Sequence, residues 1–500
     1  MSQPPPPHQP PAGPGTPRTA PHDPSHRAPG GYPAPDPHTG GGRRADRRRR
    51  SSPSKGIVIG VVTVALLAAG GVVLAVQGGD DDGASDGQQV AEARVLGSVP
   101  MPAGLEKGDP VPVPGLWTTG ENFVKGDVNK IVGYPLKGGA ASWEIPLGGR
   151  LCQASPRVTE DGMAAVLFEK PGKDQTCTQV GLVDLNKGKL VWKREATDSW
   201  GSVAGFDSVT IGGGTVAAAA EVGDGGAGWT LDGEPAWKLQ TDKECEDIGY
   251  AGGADKIIAI QQCGDADVPP LDVQTVDPKT RAVTSTYRLP EGVEDAFVLS
   301  TDPLVVGTAK ESDDAATGFA TLLAIDDGAD EGKLRSETAI PAEKFETDCD
   351  ARSVEICKGV VVSKAADAAY VATTQDVAAD VYNEIVAFDL KTGEEAGRTP
   401  GLEGVNLHVL GLDEDGSVIA YQETDLSGEA GGIWRIDPAS HRKTQVFRTA
   451  AEFRDKEAAF EAGGVYHYAN KRLYIGEELV SGEENAVDKD HPLAVVIGTG

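Results

Sequence analysis

From about residue 97 the chain alternates short apolar runs with polar, glycine-marked breaks. Runs such as MAAVLFEK (163–170), GTVAAAAEV (214–222), KIIAIQQC (256–263), PLVVGTAK (303–310), AAYVATTQ (368–375) and GSVIAYQET (416–424) have strand length and β-branched or small apolar content. Each is followed by a hairpin pattern: an apolar strand, a turn rich in Asp, Lys, Gly or Pro, and a second strand. The clearest copy is IVAFDLKTGEEAGR, residues 385–398; others cover 181–195, 229–240, 274–289, 322–340 and 433–448, with a looser one at 131–147. These patterns predict an all-β domain built from repeated antiparallel units.

The repeat has a period. The aspartates that open the turns, Asp184, Asp232, Asp277, Asp326, Asp389 and Asp437, are spaced by 48, 45, 49, 63 and 48 residues, and Pro135 takes the same place 49 residues before the first. A period in the forties with one hairpin per repeat points to a β-propeller of four-stranded blades rather than a helical solenoid. Residues 97–500 accommodate eight blades, with seven as the alternative. VYHYANKRLYIGEELV (465–480) is the candidate eighth unit, and PLAVVIGTG (492–500) the candidate strand closing the ring against the first blade. The aspartates read as turn devices: a carboxylate there accepts hydrogen bonds from N–H groups two or three residues on, and glycine then takes positive φ without steric cost.

Upstream the pattern changes twice. Residues 1–55 hold 15 of the 34 prolines, 4 of the 8 histidines and almost no aliphatic side chain. Such a segment cannot bury enough apolar surface to fold and is expected to be disordered. GIVIGVVTVALLAAGGVVLAV (56–76) carries no charge and has the length needed to cross a hydrocarbon core. Arginines at 43–50 and Lys55 precede it, and the acidic linker 77–96 follows. By the positive-inside rule the tail is cytoplasmic and the large domain extracytoplasmic, held at the cell membrane by a single pass.

The formal net charge of −30 divides as +6 over residues 1–55 and −36 over 77–500. A domain that acidic repels nucleic acid, which is excluded as a partner. All six cysteines lie beyond the apolar span. An even number there suggests disulfides, for which 15 connectivities exist; sequential pairing, Cys152–Cys177, Cys245–Cys263 and Cys349–Cys357, closes the shortest loops. No Cys-x-x-Cys occurs and no histidine groups with cysteine, so no metal ligands are assigned.

The AFDLKTG core, Ala387 to Gly393, resembles the Ala-x-Asp-x-x-Thr-Gly core of the quinoprotein-type (PQQ-like) propeller repeat. Trp143, Trp192 and Trp237 are similar to the tryptophan that ends that repeat and, in the family, docks between blades. The resemblance covers 130–450 patchily, and no tryptophan follows Asp277, Asp326, Asp389 or Asp437. Quinone-dependent members bind calcium and use adjacent cysteines; this chain has no Cys-Cys pair and no assignable catalytic or calcium-binding set. The resemblance therefore implies a non-enzymatic member, comparable to extracytoplasmic assembly propellers and sensor domains. The layout of basic Pro-rich tail plus anchor is similar to membrane proteins of high-GC actinobacteria.

Other motifs fall short of sites. LDEDGSV (412–418) lacks the later ligands of a calcium loop, IGGGTVA (211–217) lacks the Lys-Ser/Thr of a phosphate loop, and no Gly-x-Ser-x-Gly elbow occurs. The expectation is a binding, scaffold or sensor module at the cell surface with no catalytic, cofactor-binding or metal residues, no cofactor, and an extracytoplasmic protein or cell-envelope ligand as partner. The alternative is a propeller enzyme, quinoprotein dehydrogenase-like or hydrolytic. Of all segments, the 63-residue interval before Asp389, with Cys349, Cys357 and DVAADVYNE (376–384), is the place to look for an elaborated blade, although a plain surface loop accounts for it.

Overall fold

A computed structural model describes residues 90–105, 109–172, 176–220, 225–239, 244–264, 266–310, 318–374, 382–424, 431–460, 464–482 and 491–500. The tail 1–55, the apolar span 56–76, most of the 77–96 linker and most of the 376–384 loop lie outside these residues. Among the described residues no helix is long and apolar enough to cross a membrane.

The chain forms antiparallel four-stranded sheets in sequence order. Sheet 1 begins with Leu116–Thr118, sheet 2 with Leu151–Ala154, sheet 3 with Phe206–Gly212, sheet 4 with Cys245–Gly252, sheet 5 with Asp295–Thr301 and sheet 6 with Val360–Ser363. An eight-stranded sheet completes the set. Its first half, sheet 7, runs from Leu407–Leu412 to Lys443–Thr449. Its second half, sheet 8, contains Gly464–Ala469, Arg472–Glu477 and Pro492–Gly498, and takes its outermost strand from Glu92–Pro100. The halves meet through a short parallel pairing of Glu92 and Ala93 with Arg448 and Thr449.

Burial explains the strand pattern. The second and third strands of a sheet are covered on both faces: Thr215–Ala220 and Gln179–Asp184 are buried throughout, so they read as continuous small or apolar runs. Fourth strands such as Lys333–Ala339 alternate exposed and buried positions and carry the charges. Each apolar cluster joins two consecutive sheets. Trp117 and Val124 of sheet 1 pack with Leu151 and Ala164 of sheet 2, and so on round to Tyr474 and Val496 of sheet 8, which pack with Phe123 of sheet 1. A sheet alone would leave one face wet; stacking in a closed ring covers both and leaves short edges, which is the physical logic of a β-propeller. First strands lie innermost, since they touch one another from sheet to sheet, including those of sheets 1 and 8.

Two sequence expectations change. The 492–500 segment packs against sheet 1 as expected, but as the third strand of sheet 8, and the ring is latched by its pairing with Glu92–Pro100. That strand begins inside the segment read as linker, at Glu92. Its alternation is weak and its antiparallel partner lies some 400 residues away, so no local pattern marks it.

Alternating strand direction gives the ring two unlike faces. On one, first and second strands and third and fourth strands are joined by short turns such as 213–214, 302–303, 470–471 and 185–188. On the other, connections such as 195–205, 310–320, 340–359 and 478–491 are long. Arg94 pairs with Gly498 at the turn-face end of sheet 8, whereas Glu92 pairs with Arg448 at the loop-face end of the fourth strand of sheet 7.

Candidate functional site

The turn face carries the repeat residues. Asp184 Oδ1 accepts from the N–H groups of Asn186 and Lys187, at 3.1 and 2.9 Å. Asp277, Asp389 and Asp437 make the same pair of bonds two and three residues on, and Asp326 accepts from Gly328. At Asp232 the turn is closed instead by Thr230, whose carbonyl and hydroxyl accept from Gly233 and Glu234. The backbone bonds hold the carboxyl of Asp389 below the usual range, and the Ser440 hydroxyl, with the backbone bonds, does the same for Asp437. The fourth residue after Asp184, Asp277, Asp389 and Asp437 has positive φ: Gly188, Arg281, Gly393 and His441. At the two non-glycine positions the side chain has a task. The Arg281 guanidinium pairs with buried Asp247, and the His441 ring covers Gly397.

The tryptophans dock each sheet onto the next turn. Trp143 leaves no room for a Cβ at Gly188, and the buried Trp192 donates from Nε1 to the Leu231 carbonyl at 2.9 Å. Trp237 packs against Tyr250 of sheet 4. Where tryptophan is absent, hydroxyls make the same junction: Ser336 Oγ donates to the Leu390 carbonyl, Thr338 Oγ1 to Gly393 and Thr399 Oγ1 to His441, at 2.8–3.0 Å. These residues are structural, and the geometry brings them to no common pocket.

The loop face and axis differ. The structure bonds Cys152 to Cys177, Cys245 to Cys263 and Cys349 to Cys357. The last pair staples a hairpin, Asp348–Cys349 against Cys357–Lys358, within the long 340–359 connection. This hairpin is not a surface loop. Its residues bond to the inner strands of the preceding sheet 5 and of sheets 2 and 4. Gln153 Nε2 of sheet 2 donates to Asp350 Oδ2 at 2.9 Å, Gly252 N of sheet 4 to Glu355 Oε2 at 2.9 Å, and Val298 N of sheet 5 to the Val354 carbonyl. Lys358 Nζ reaches Glu478 Oε2, just past the second strand of sheet 8, at 2.7 Å. Groups spread that widely round the ring meet only on the axis, so the hairpin is an axial plug. The Glu355 oxygen Oε1 is sealed from solvent, and desolvation pushes the carboxyl up to about 7 against the pull of Thr210 and the Gly252 N–H.

The plug fills the axis beside sheets 2, 4 and 5. Beside sheets 6, 7 and 8 it leaves a cavity of about 600 Å³. The lining comes from the starts of inner strands and the ends of second strands, so the cavity sits at the loop-face end. Its core is His408, the second residue of Leu407–Leu412. The ring stacks on Tyr466 with centroids 5.2 Å apart, and Nε2 lies 2.7 Å from Glu423 Oε1. Glu423 Oε2 also accepts from Asn406 N at 3.0 Å; burial opposes ionisation, but these bonds outweigh it and hold the carboxyl below its usual range. Tyr421, against the same ring stack, donates to buried Glu457 of the short helix Arg454–Ala458, whose carboxyl burial raises to about 7. Behind Glu478 lies buried Lys125. Its Nζ donates to the carbonyls of Gly126, at 3.0 Å, and Val113, and burial lowers it to about 7 despite Glu478, Asp127 and Glu477. No sequence motif marks any of these side chains: each is a lone polar residue in a strand or loop, brought together by the packing of sheets 7 and 8 and, for Lys125 and Glu478, by ring closure.

No family model and no curated protein matches this sequence. Solved structures similar in fold include BamB from Moraxella catarrhalis, at 14% identity over 79% of this chain and 97% of that one with a TM-score of 0.43. Another is the dihydro-heme d1 dehydrogenase NirN in complex with DHE, at 15% identity over 68% of this chain and 67% of that one with a TM-score of 0.44.

Proposed function

We propose that this chain is a binding or scaffold propeller of eight blades, anchored at the cell membrane by 56–76 with the acidic domain outside, and that it performs no catalysis. The reading rests on the difference between the faces. The turn face is closed by self-satisfied hairpins, whereas the loop face gathers the long connections and the exposed Trp200, 74% accessible on the 195–205 connection. Tryptophan is enriched among the residues that carry the binding energy of interfaces. The long connections and Trp200 make the loop face the place where an extracytoplasmic protein would dock.

Two features support the non-catalytic part. The inner carboxylates Glu423 and Glu478 are already engaged by His408 and Lys358. The quinone of the resembling dehydrogenases is a tricarboxylate, and a cavity also lined by Glu346 and Asp348 is a poor host for it.

The test places a photo-crosslinking amino acid at Trp200, and separately at exposed Lys391 on the turn face, in the full-length membrane protein. A discrete adduct with an envelope protein is expected from position 200 alone. Adducts from position 391 alone would overturn the face assignment. Oxidation of alcohols or sugars by the purified chain supplied with quinone and calcium would establish the enzyme alternative.

A further inference from the structure

We propose that the axial cavity between the cystine hairpin and sheets 6–8 is a binding site for a small organic ammonium ion, with the charged nitrogen at Glu346 and Asp348. At about 600 Å³ the cavity is in the size range of small-molecule sites. Its walls are fixed before any ligand arrives. Three are inner strands of a closed ring, and the fourth is a hairpin held by Cys349–Cys357 and by bonds to sheets 2, 4 and 5. Such preorganisation removes much of the ordering cost of binding.

The lining selects the chemical class. Val360, Val409, Leu410 and Phe460 provide an apolar surface, and the stacked His408–Tyr466 pair a flat one. The charges then divide in two. Glu423 and Glu478 are paired with His408 and Lys358 at 2.7 Å. Glu346 and Asp348, on the arm leading into the hairpin, have no ion pair among the described residues. The cavity thus carries two uncompensated carboxylates beside apolar surface, within a domain of net charge −36 over 77–500. A concave acidic site concentrates cations and repels anions. A bare metal ion does not fit this arrangement: no group of three or more His, Cys, Asp or Glu side chains among the described residues converges on a point. A ligand with an ammonium group and an apolar body uses both parts of the lining. This inference concerns the axis and is independent of any protein partner on the loop face.

The probe is 1,5-diaminopentane, titrated calorimetrically into the detergent-solubilised full-length chain, with 1,5-pentanediol and glutarate as neutral and anionic ligands of equal length. Saturable binding of the diamine alone is expected. The double variant Glu346→Gln/Asp348→Asn should weaken it at least tenfold with no change in the urea midpoint, since both side chains are exposed. Glu403→Gln/Glu414→Gln, which removes two charges from elsewhere on the surface, should leave it unchanged. The proposal is overturned if the diamine shows no saturable binding, if glutarate or the diol binds as well, or if the two double variants weaken binding equally.

Discussion

The two halves of the axis are built from the same repeat and end in opposite states. Beside sheets 2, 4 and 5 the interior is taken up by the hairpin, and its polar groups are satisfied by partners up to 197 residues away. Beside sheets 6–8 the same kind of inner strand faces open space and presents His408 and Tyr466 to it, with Glu423 at the end of a second strand beside them. The contrast shows that a propeller's interior is not determined by its blades. One inserted connection, 340–359, decides which half is closed and which can receive a ligand.

This contrast can be tested from the closed side first. Arg281→Ala should have the largest effect, because it leaves Asp247 buried without its partner in the inner strand of sheet 4. A loss of about 3–5 kcal/mol in urea unfolding is expected for breaking one side of such a pair. Cys349→Ser with Cys357→Ser should come next, at about 2–3 kcal/mol for a loop this short. Its signature should be faster hydrogen exchange in 346–359 and in the facing strand Cys245–Gly252, with Leu407–Leu412 less affected. Equal loosening of both strands would dissolve the distinction between the halves.

The third prediction concerns pH. The folded chain holds the Glu355 proton up to about 7, while the unfolded chain releases it near the ordinary value of 4.5. Stability from this group is therefore greatest below 4.5 and declines as pH rises to 7. Glu355→Gln should flatten that decline, read as the difference between urea midpoints at pH 5 and pH 8. An unchanged difference would place the ionisation elsewhere, with Glu457 the next group to replace. The smallest effect belongs to the open half. Glu423→Gln should cost no more than about 1 kcal/mol, since a partly solvated pair is lost. It should nonetheless shift the His408 ring resonances in NMR.

Legibility from sequence followed the range of the interactions. The hairpins at 181–195, 274–289 and 385–398 were readable because strand, turn aspartate and positive-φ residue lie within a dozen positions of one another. The same turn with Arg281 or His441 in place of glycine still declared itself through Asp277 and Asp437. The 63-residue interval stood out as an elaboration of the period. Its destination was not readable, because Gln153, Gly252 and Glu478 carry no mark that they will meet a hairpin inserted between Ile340 and Val360. His408 and Glu423 are 15 residues apart on adjoining strands, but each is one polar residue among many in an acidic chain.

The strand Glu92–Pro100 also bears on how the molecule comes into being. Its antiparallel partner, Pro492–Gly498, lies some 400 residues further along the chain and leaves the ribosome long after it. Until then the N-terminal strand is an unpaired edge, and unpaired edges recruit other chains. A nascent molecule stays topologically open until Pro492–Gly498 has emerged. A variant cut short after residue 490 has no latch and is a ready target for proteases and chaperones that survey incomplete rings.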